Sequence, residues 1–334
     1  MLPGGHPGAN FICKMQIPFR AARASSMHAR HRIVLAILIL LALSALPAYA
    51  QDEQQPGRTG HAVNDEIQVY TGEIAKVGQW TLQFHNNYAI NGRKEPDFEG
   101  GMIPNRALNG TPEIAYGITP WWEMGLYAPY AVDRNGQFLS NAAKIRQLFV
   151  TPDASKRSFF YGVNFEFSYA MPRFSETRWN LEIRPIIGFR RGDYEFIINP
   201  IVDVGFGENG GATLSPAARF ARKFGENLAL GVEYYTGLGP IQDIVPFNEQ
   251  QHDIYAVVDF KIGRWDVNAG IGYGLTGGSD RVMAKMILGT DLNSGVAGKS
   301  DDAPKMMRRP SSSTSGGLPR LAASLSESLL ASGF

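Results

Sequence analysis

Fifteen ionisable side chains fall at alternate positions within extended, two-faced segments of this sequence, and they set what chemistry it could do. The acids are Glu113, Glu123, Glu166, Glu182, Asp203, Glu233, Asp253, Asp259 and Asp266, and the bases are Lys144, Arg146, Arg184, Arg219, Lys261 and Lys285. Glu182 and Arg184, two apart, would share one face of a strand. Such charges pair or hydrate one another in a confined space, or they form a polar track for a solute. His85 could serve as a base or a metal ligand. It has neither a serine motif nor a second ligand at a recognisable spacing, so a hydrogen-bonded polar residue is expected. His61 and His252 are the only other histidines after residue 50. There is no G-x-S-x-G, H-E-x-x-H or P-loop, and no cofactor site, metal site or catalytic residue is expected. No basic cluster suggests nucleic acid.

The elements that position these charges are strands. From Phe159 to Tyr169, Phe159, Tyr161, Val163, Phe165, Phe167 and Tyr169 fall on one side of an extended chain. Phe160, Gly162, Asn164, Glu166 and Ser168 fall on the other. Side chains alternate faces in a strand, so one face is apolar and aromatic and the other, after Phe160, small or polar. The pattern returns over 79–90, 111–119, 121–133, 139–151, 157–170, 178–190, 195–206, 212–223, 227–238, 251–262, 264–276 and 280–289. These twelve segments predict an all-β fold, a transmembrane antiparallel up-and-down barrel over 79–291, apolar outside and polar within. Glu113, Glu123, Arg146, Glu166, Glu182, Arg184, Asp203, Arg219, Glu233 and Asp253 are the expected lumen lining. The apolar face includes Trp179, Leu181, Ile183, Ile187 and Phe189, then Leu228, Leu230, Val232 and Tyr234, then Val267, Ala269, Ile271, Tyr273 and Leu275.

An export signal agrees with this. His28–Arg32 is basic, Ile33–Leu46 is apolar apart from Ser44, and Ala48-Tyr49-Ala50 is a small-x-small cleavage motif. The run is shorter than the ~20 residues of a membrane helix. Residues 27–50 therefore read as a signal peptide and 1–26 as a mis-assigned extension, Met27 being the expected start. The sole cysteine, Cys13, precedes Met27, so the mature chain has no thiol. Residues 51–78 read as a periplasmic or plug segment, in which Glu66–Tyr70 alternates and fits either an extra strand or a stretch inside the barrel. Residues 292–334, with Pro310–Gly317 inside them, read as a low-complexity tail.

Two regularities bear on the inside-out question, since a lipocalin or soluble sandwich would show the same alternation inverted. Connections at 119–121, 223–227 and 262–264 are short and occupy alternate slots, whereas 91–110 and 239–250 are long. Membrane barrels have short periplasmic turns and longer extracellular loops. All five tryptophans sit near the start of a segment, as in interfacial girdles. Pro112, Pro129, Pro185, Pro200 and Pro216 oppose the reading, because each removes a ladder hydrogen bond in a sheet without edges, so local bulges are expected.

The stretch 214–239 (LSPAARFARKFGENLALGVEYYTGLG), with Glu66–Tyr70 and Val77-Gly78-Gln79-Trp80, resembles a family of proteobacterial outer-membrane barrels described as putative transporters, some linked to phenol meta-pathway degradation. The resemblance spans most of 66–291. It implies the fold and transport across the outer membrane of a Gram-negative cell. It assigns no functional residue.

The reading is therefore an outer-membrane channel for small solutes, including hydrophobic or aromatic ones, with a narrow charged lumen. Its partners are outer-membrane lipid and a small-molecule solute. The oligomeric state stays open. An outer-membrane enzyme acting on lipid and a structural or adhesive barrel without conductance are the alternatives. The signal predicts a mature chain starting at Gln51. N-terminal sequencing of the membrane form checks this, and a product retaining residues 30–50 would contradict it.

Overall fold

A computed structural model describes residues 66–293. The export signal, the extension 1–26, residues 51–65 and the tail from 294 lie outside the described residues. The chain forms a closed antiparallel barrel of twelve strands. They are β1 (Trp80–Asn91), β2 (Leu108–Thr119), β3 (Trp122–Tyr127, resumed at Tyr130–Val132), β4 (Phe138–Ser140, resumed at Ala142–Val150), β5 (Phe159–Ala170) and β6 (Trp179–Arg191). Then follow β7 (Tyr194–Asn199, resumed at Val202–Phe206), β8 (Gly211–Leu214, resumed at Ala217–Lys223), β9 (Leu228–Gly237), β10 (Gln251–Ile262), β11 (Trp265–Gly274) and β12 (Val282–Asp291). Each pairs with its sequence neighbours, and β1 closes on β12 from Thr81↔Asp291 to Asn91↔Val282. Among the described residues no helix is long and apolar enough to cross a membrane.

The outward face is apolar and aromatic. Tyr161, Phe167, Phe189, Phe220, Val232 and Ile271 are all exposed, while their neighbours in the strands alternate with them. Aromatic pairs lock adjacent strands, as with Phe159 and Phe189 (5.1 Å between centroids) and Phe167 and Trp179 (5.3 Å). Trp80, Trp121, Trp122 and Trp265 lie at one end of the barrel and Trp179 at the other. A closed barrel with a lipid-facing band and a charged interior is an outer-membrane architecture. The end bearing the long loops 92–107 and 238–250 is then extracellular.

The prolines are accommodated by grouping. Extending the β6–β7 register through Ile183↔Val202 and Ile187↔Ile198 sets Pro185 opposite Pro200. Extending the β7–β8 register through Asn199↔Ala217 and Val202↔Leu214 sets Pro200 opposite Pro216. One lateral row thus concentrates three missing donors where β7 and β8 are both interrupted. Pro216 still accepts a hydrogen bond from Thr236 N at 3.0 Å. Pro112 accepts from Ala128 N at 3.2 Å, and a residue's N–H and C=O point the same way in an antiparallel strand. Its missing N–H therefore faces the break in β3 at Ala128–Pro129.

An arginine at a lipid-facing midplane position should cost ~2–4 kcal/mol, and near an interface ~0–1. Val232→Arg, mid-strand in β9, is expected in the first class and Leu228→Arg, at the strand's start, in the second. Denaturant unfolding in lipid vesicles checks this, and equal costs would place Val232 away from the hydrocarbon.

Candidate functional site

The interior is occupied. Residues 66–79 climb from the short-turn end to the middle of the barrel. At the base, Gly78 N donates to Gly117 O (2.8 Å) and Gly117 N to Gln79 O (3.0 Å), beside a lone parallel bridge Val77↔Gly117. Above that point the segment does not pair as a strand. Inward-pointing side chains hold it instead. Ala75 N donates to the Glu123 carboxylate, and Arg190 Nη2 to Thr71 O (3.2 Å). Asn199 acts like a strand neighbour, taking Tyr70 N at Oδ1 (2.7 Å) and donating from Nδ2 to Tyr70 O (3.3 Å). Arg184 Nη1 donates to Gln68 O (2.9 Å) and Lys285 Nζ to Ile67 O (3.0 Å). Of the two readings open for Glu66–Tyr70, the stretch inside the barrel is the one found.

Apolar contacts seat the same segment. Val69 and Tyr70 pack with Leu148, Phe160, Ile186 and Ile197, which point inward from four strands. Phe160, the one bulky residue on the polar face of β5, is fully buried here. Gly72 has φ +74°, and a Cβ there would meet the Phe160 ring at 2.8 Å. Glycine thus lets the segment turn beneath that ring.

On either side of the segment lies a cavity. The upper one, about 620 Å³, opens toward the long loops, and the lower, about 560 Å³, toward the short turns. Among the described residues, Gln68 alone lines both. Glu166, Glu182, Arg184, Asp203 and Asp253 line the upper cavity, and Glu113, Glu123, Arg146, Arg219 and Glu233 the lower.

These charges are arranged as shared networks. Arg146 Nη2 bridges Glu113 (2.6 Å) and Glu123. Arg219 reaches Glu233 (2.6 Å) and Asp259. Glu233 also accepts from Lys285 and from the Tyr235 hydroxyl (2.6 Å). In the upper half, Arg184 grips Glu182 with two N–H groups at 2.6 and 2.8 Å while lying 4.4 Å over the Tyr70 ring. Tyr70 OH donates to Glu166 (2.8 Å). Asp203 accepts from Ser215 Oγ (2.9 Å) and Asp253 from Gln251 Nε2 (2.6 Å). Glu166 and Glu182 stand directly opposite across β5 and β6, which brings like charges together beside Arg184.

The loops add one clamp at the mouth. Arg93 pairs with Asp97 and, at 3.2 Å, with Asp280, tying loop 92–107 to the loop before β12. Burial alone would lower the Arg93 pKa, but the charges of Asp97 and Asp280 outweigh it and raise the pKa above its ordinary value. His252 has both ring nitrogens engaged, with Tyr234 OH (2.6 Å) and Gln250 Oε1 (2.8 Å). His85 lies between Glu66 and Glu113, a juxtaposition absent from the sequence reading. Glu66, Tyr70, Asn199 and Lys285 were likewise outside the expected lining. Lys285 did appear on the charged face, and Asn199 occupies an inward position just before Pro200.

No family model matches the chain, and no curated protein matches it. Similar folds occur among solved structures. An outer-membrane channel from Pseudomonas putida F1 has a TM-score of 0.45 and 9% identity, covering 68% of this chain and 100% of that one. LpxR from Salmonella typhimurium has a TM-score of 0.37 and 8% identity, covering 63% and 99%. The translocator domain of the autotransporter NalP from Neisseria meningitidis has a TM-score of 0.34 and 13% identity, covering 66% and 90%.

Glu233 is the hub of the lower network. Glu233→Gln would leave Arg219 and Lys285 short of a buried counter-charge, and breaking a buried pair costs ~3–5 kcal/mol. Unfolding in vesicles is expected to show that loss. A change below ~1 kcal/mol would mean that water already screens the network.

Proposed function

We propose that the protein is an outer-membrane channel for small solutes, favouring cations, in which residues 66–76 form the constriction. The observation that carries this reading is the pair of acidic cavities meeting at Gln68. Six carboxylates and two basic groups line the upper cavity, and nine carboxylates and five basic groups the lower. Charged linings set ion preference in pores, and an acidic excess attracts cations. Twelve strands also suit a narrow passage, since eight fill with side chains and sixteen to eighteen leave an open channel. Hydrophobic or aromatic compounds, suggested by the resemblance to phenol-linked transporters, would meet Phe174, Tyr235 and Tyr255 in the upper cavity.

Planar-bilayer recording tests the proposal. The wild type is expected to give small conductance with reversal potentials favouring cations, most strongly at low salt. Deleting residues 66–76 should raise the conductance, and Glu182→Gln with Asp253→Asn should weaken the selectivity. Anion preference, or no current with the segment deleted, would overturn the reading. Lipid hydrolysis by the silent barrel would instead favour an enzyme.

A further inference from the structure

His85 projects inward from β1, Glu113 from β2, and Glu66 from the internal segment, so three separate stretches of chain converge. His85 Nε2 is 3.4 Å from a Glu66 carboxylate oxygen and 3.4 Å from a Glu113 oxygen. The side chains are 0%, 3% and 2% exposed, respectively. A ring nitrogen carries at most one hydrogen, so a proton on Nε2 would be shared between the two carboxylates in a long three-centre contact. A charge-assisted N–H···O bond also closes to ~2.7–2.9 Å, which neither contact does.

Both distances suit ligands of a common ion. Zn²⁺ holds nitrogen and oxygen donors at ~2.0–2.2 Å in tetrahedral array, which sets neighbouring ligand atoms about 3.3–3.5 Å apart. Each of the three residues offers a ligand atom within 4.8 Å of one from each of the others. One imidazole with two carboxylates is a donor set for a first-row dication and is unlike the all-oxygen shells of Ca²⁺. Arg146 holds the other Glu113 oxygen at 2.6 Å, and such outer contacts orient a metal ligand.

We propose that Glu66, His85 and Glu113 form a Zn²⁺-type site that fastens the internal segment to the barrel wall. Two of its ligands are rigid, on hydrogen-bonded strands, and the third is at the upper end of the described segment. The ion would act as a removable cross-link between wall and segment. The site stands whether or not solute passes through the barrel.

The test uses the full mature chain, refolded and dialysed against chelator, then titrated with Zn²⁺ in competition with a chromophoric indicator. One tight equivalent is expected in the wild type. His85→Ala and Glu66→Gln should each weaken it by more than ~100-fold, beyond the 10–100-fold effect of losing an outer partner. Glu66 lies off the barrel wall, so its variant remains informative if His85→Ala does not fold. His252→Ala and His61→Ala should keep the equivalent. No binding by the wild type, retention of binding in Glu66→Gln, or its loss in His61→Ala would overturn the proposal.

Discussion

In hydrocarbon a backbone N–H or C=O has no water to bond, so every such group in the wall must pair within the chain. Closure of β1 on β12 meets that condition for the wall, and much else follows from it. A closed wall allows two side-chain directions, so the sequence alternates between apolar and polar positions along each strand. Closure also leaves no edge on which to place a proline. The row Pro185–Pro200–Pro216 shows how the wall copes, by putting the missing donors opposite one another so that one local interruption serves three strands.

The wall was legible because its signal has a period of two and repeats. Trp179 to Phe189 or Leu228 to Tyr234 can each be assigned from a few consecutive residues, and every assignment repeats the same rule. The same alternation gathers the ionisable residues on one face, but it does not give their partners. Tyr70 meets Asn199 across 129 positions and Lys285 meets Ile67 O across 218. No periodicity connects such pairs, because one member lies on a segment outside the sheet. Phe160 shows the same limit. It stood out as an exception to the polar face, yet only the structure shows that it closes over Gly72 and packs against Tyr70.

The internal segment also explains the chemistry of the inward charges. An extended segment away from the sheet has carbonyls to satisfy in a confined space. The barrel does so with side chains, so that Lys285, Arg184 and Arg190 each donate to one carbonyl of residues 66–72 and each also meet a carboxylate. Those cations are therefore shared between backbone and acid. Replacing one with a neutral residue would unseat the segment and strand a carboxylate together.

That sharing bears on the polarity of the cavities. The donors of Arg184 and Lys285 are turned toward the segment and toward Glu182 and Glu233. Asp203 and Asp253, away from the segment, are served by the neutral donors of Ser215 and Gln251. Arg184 and Lys285 thus direct their charge to the segment and its neighbouring acids, while the carboxylates of Asp203 and Asp253 face the upper cavity. On the channel proposal, a cation entering from the upper side would meet these carboxylates before it reached Arg184, whose charge is already paired with Glu182.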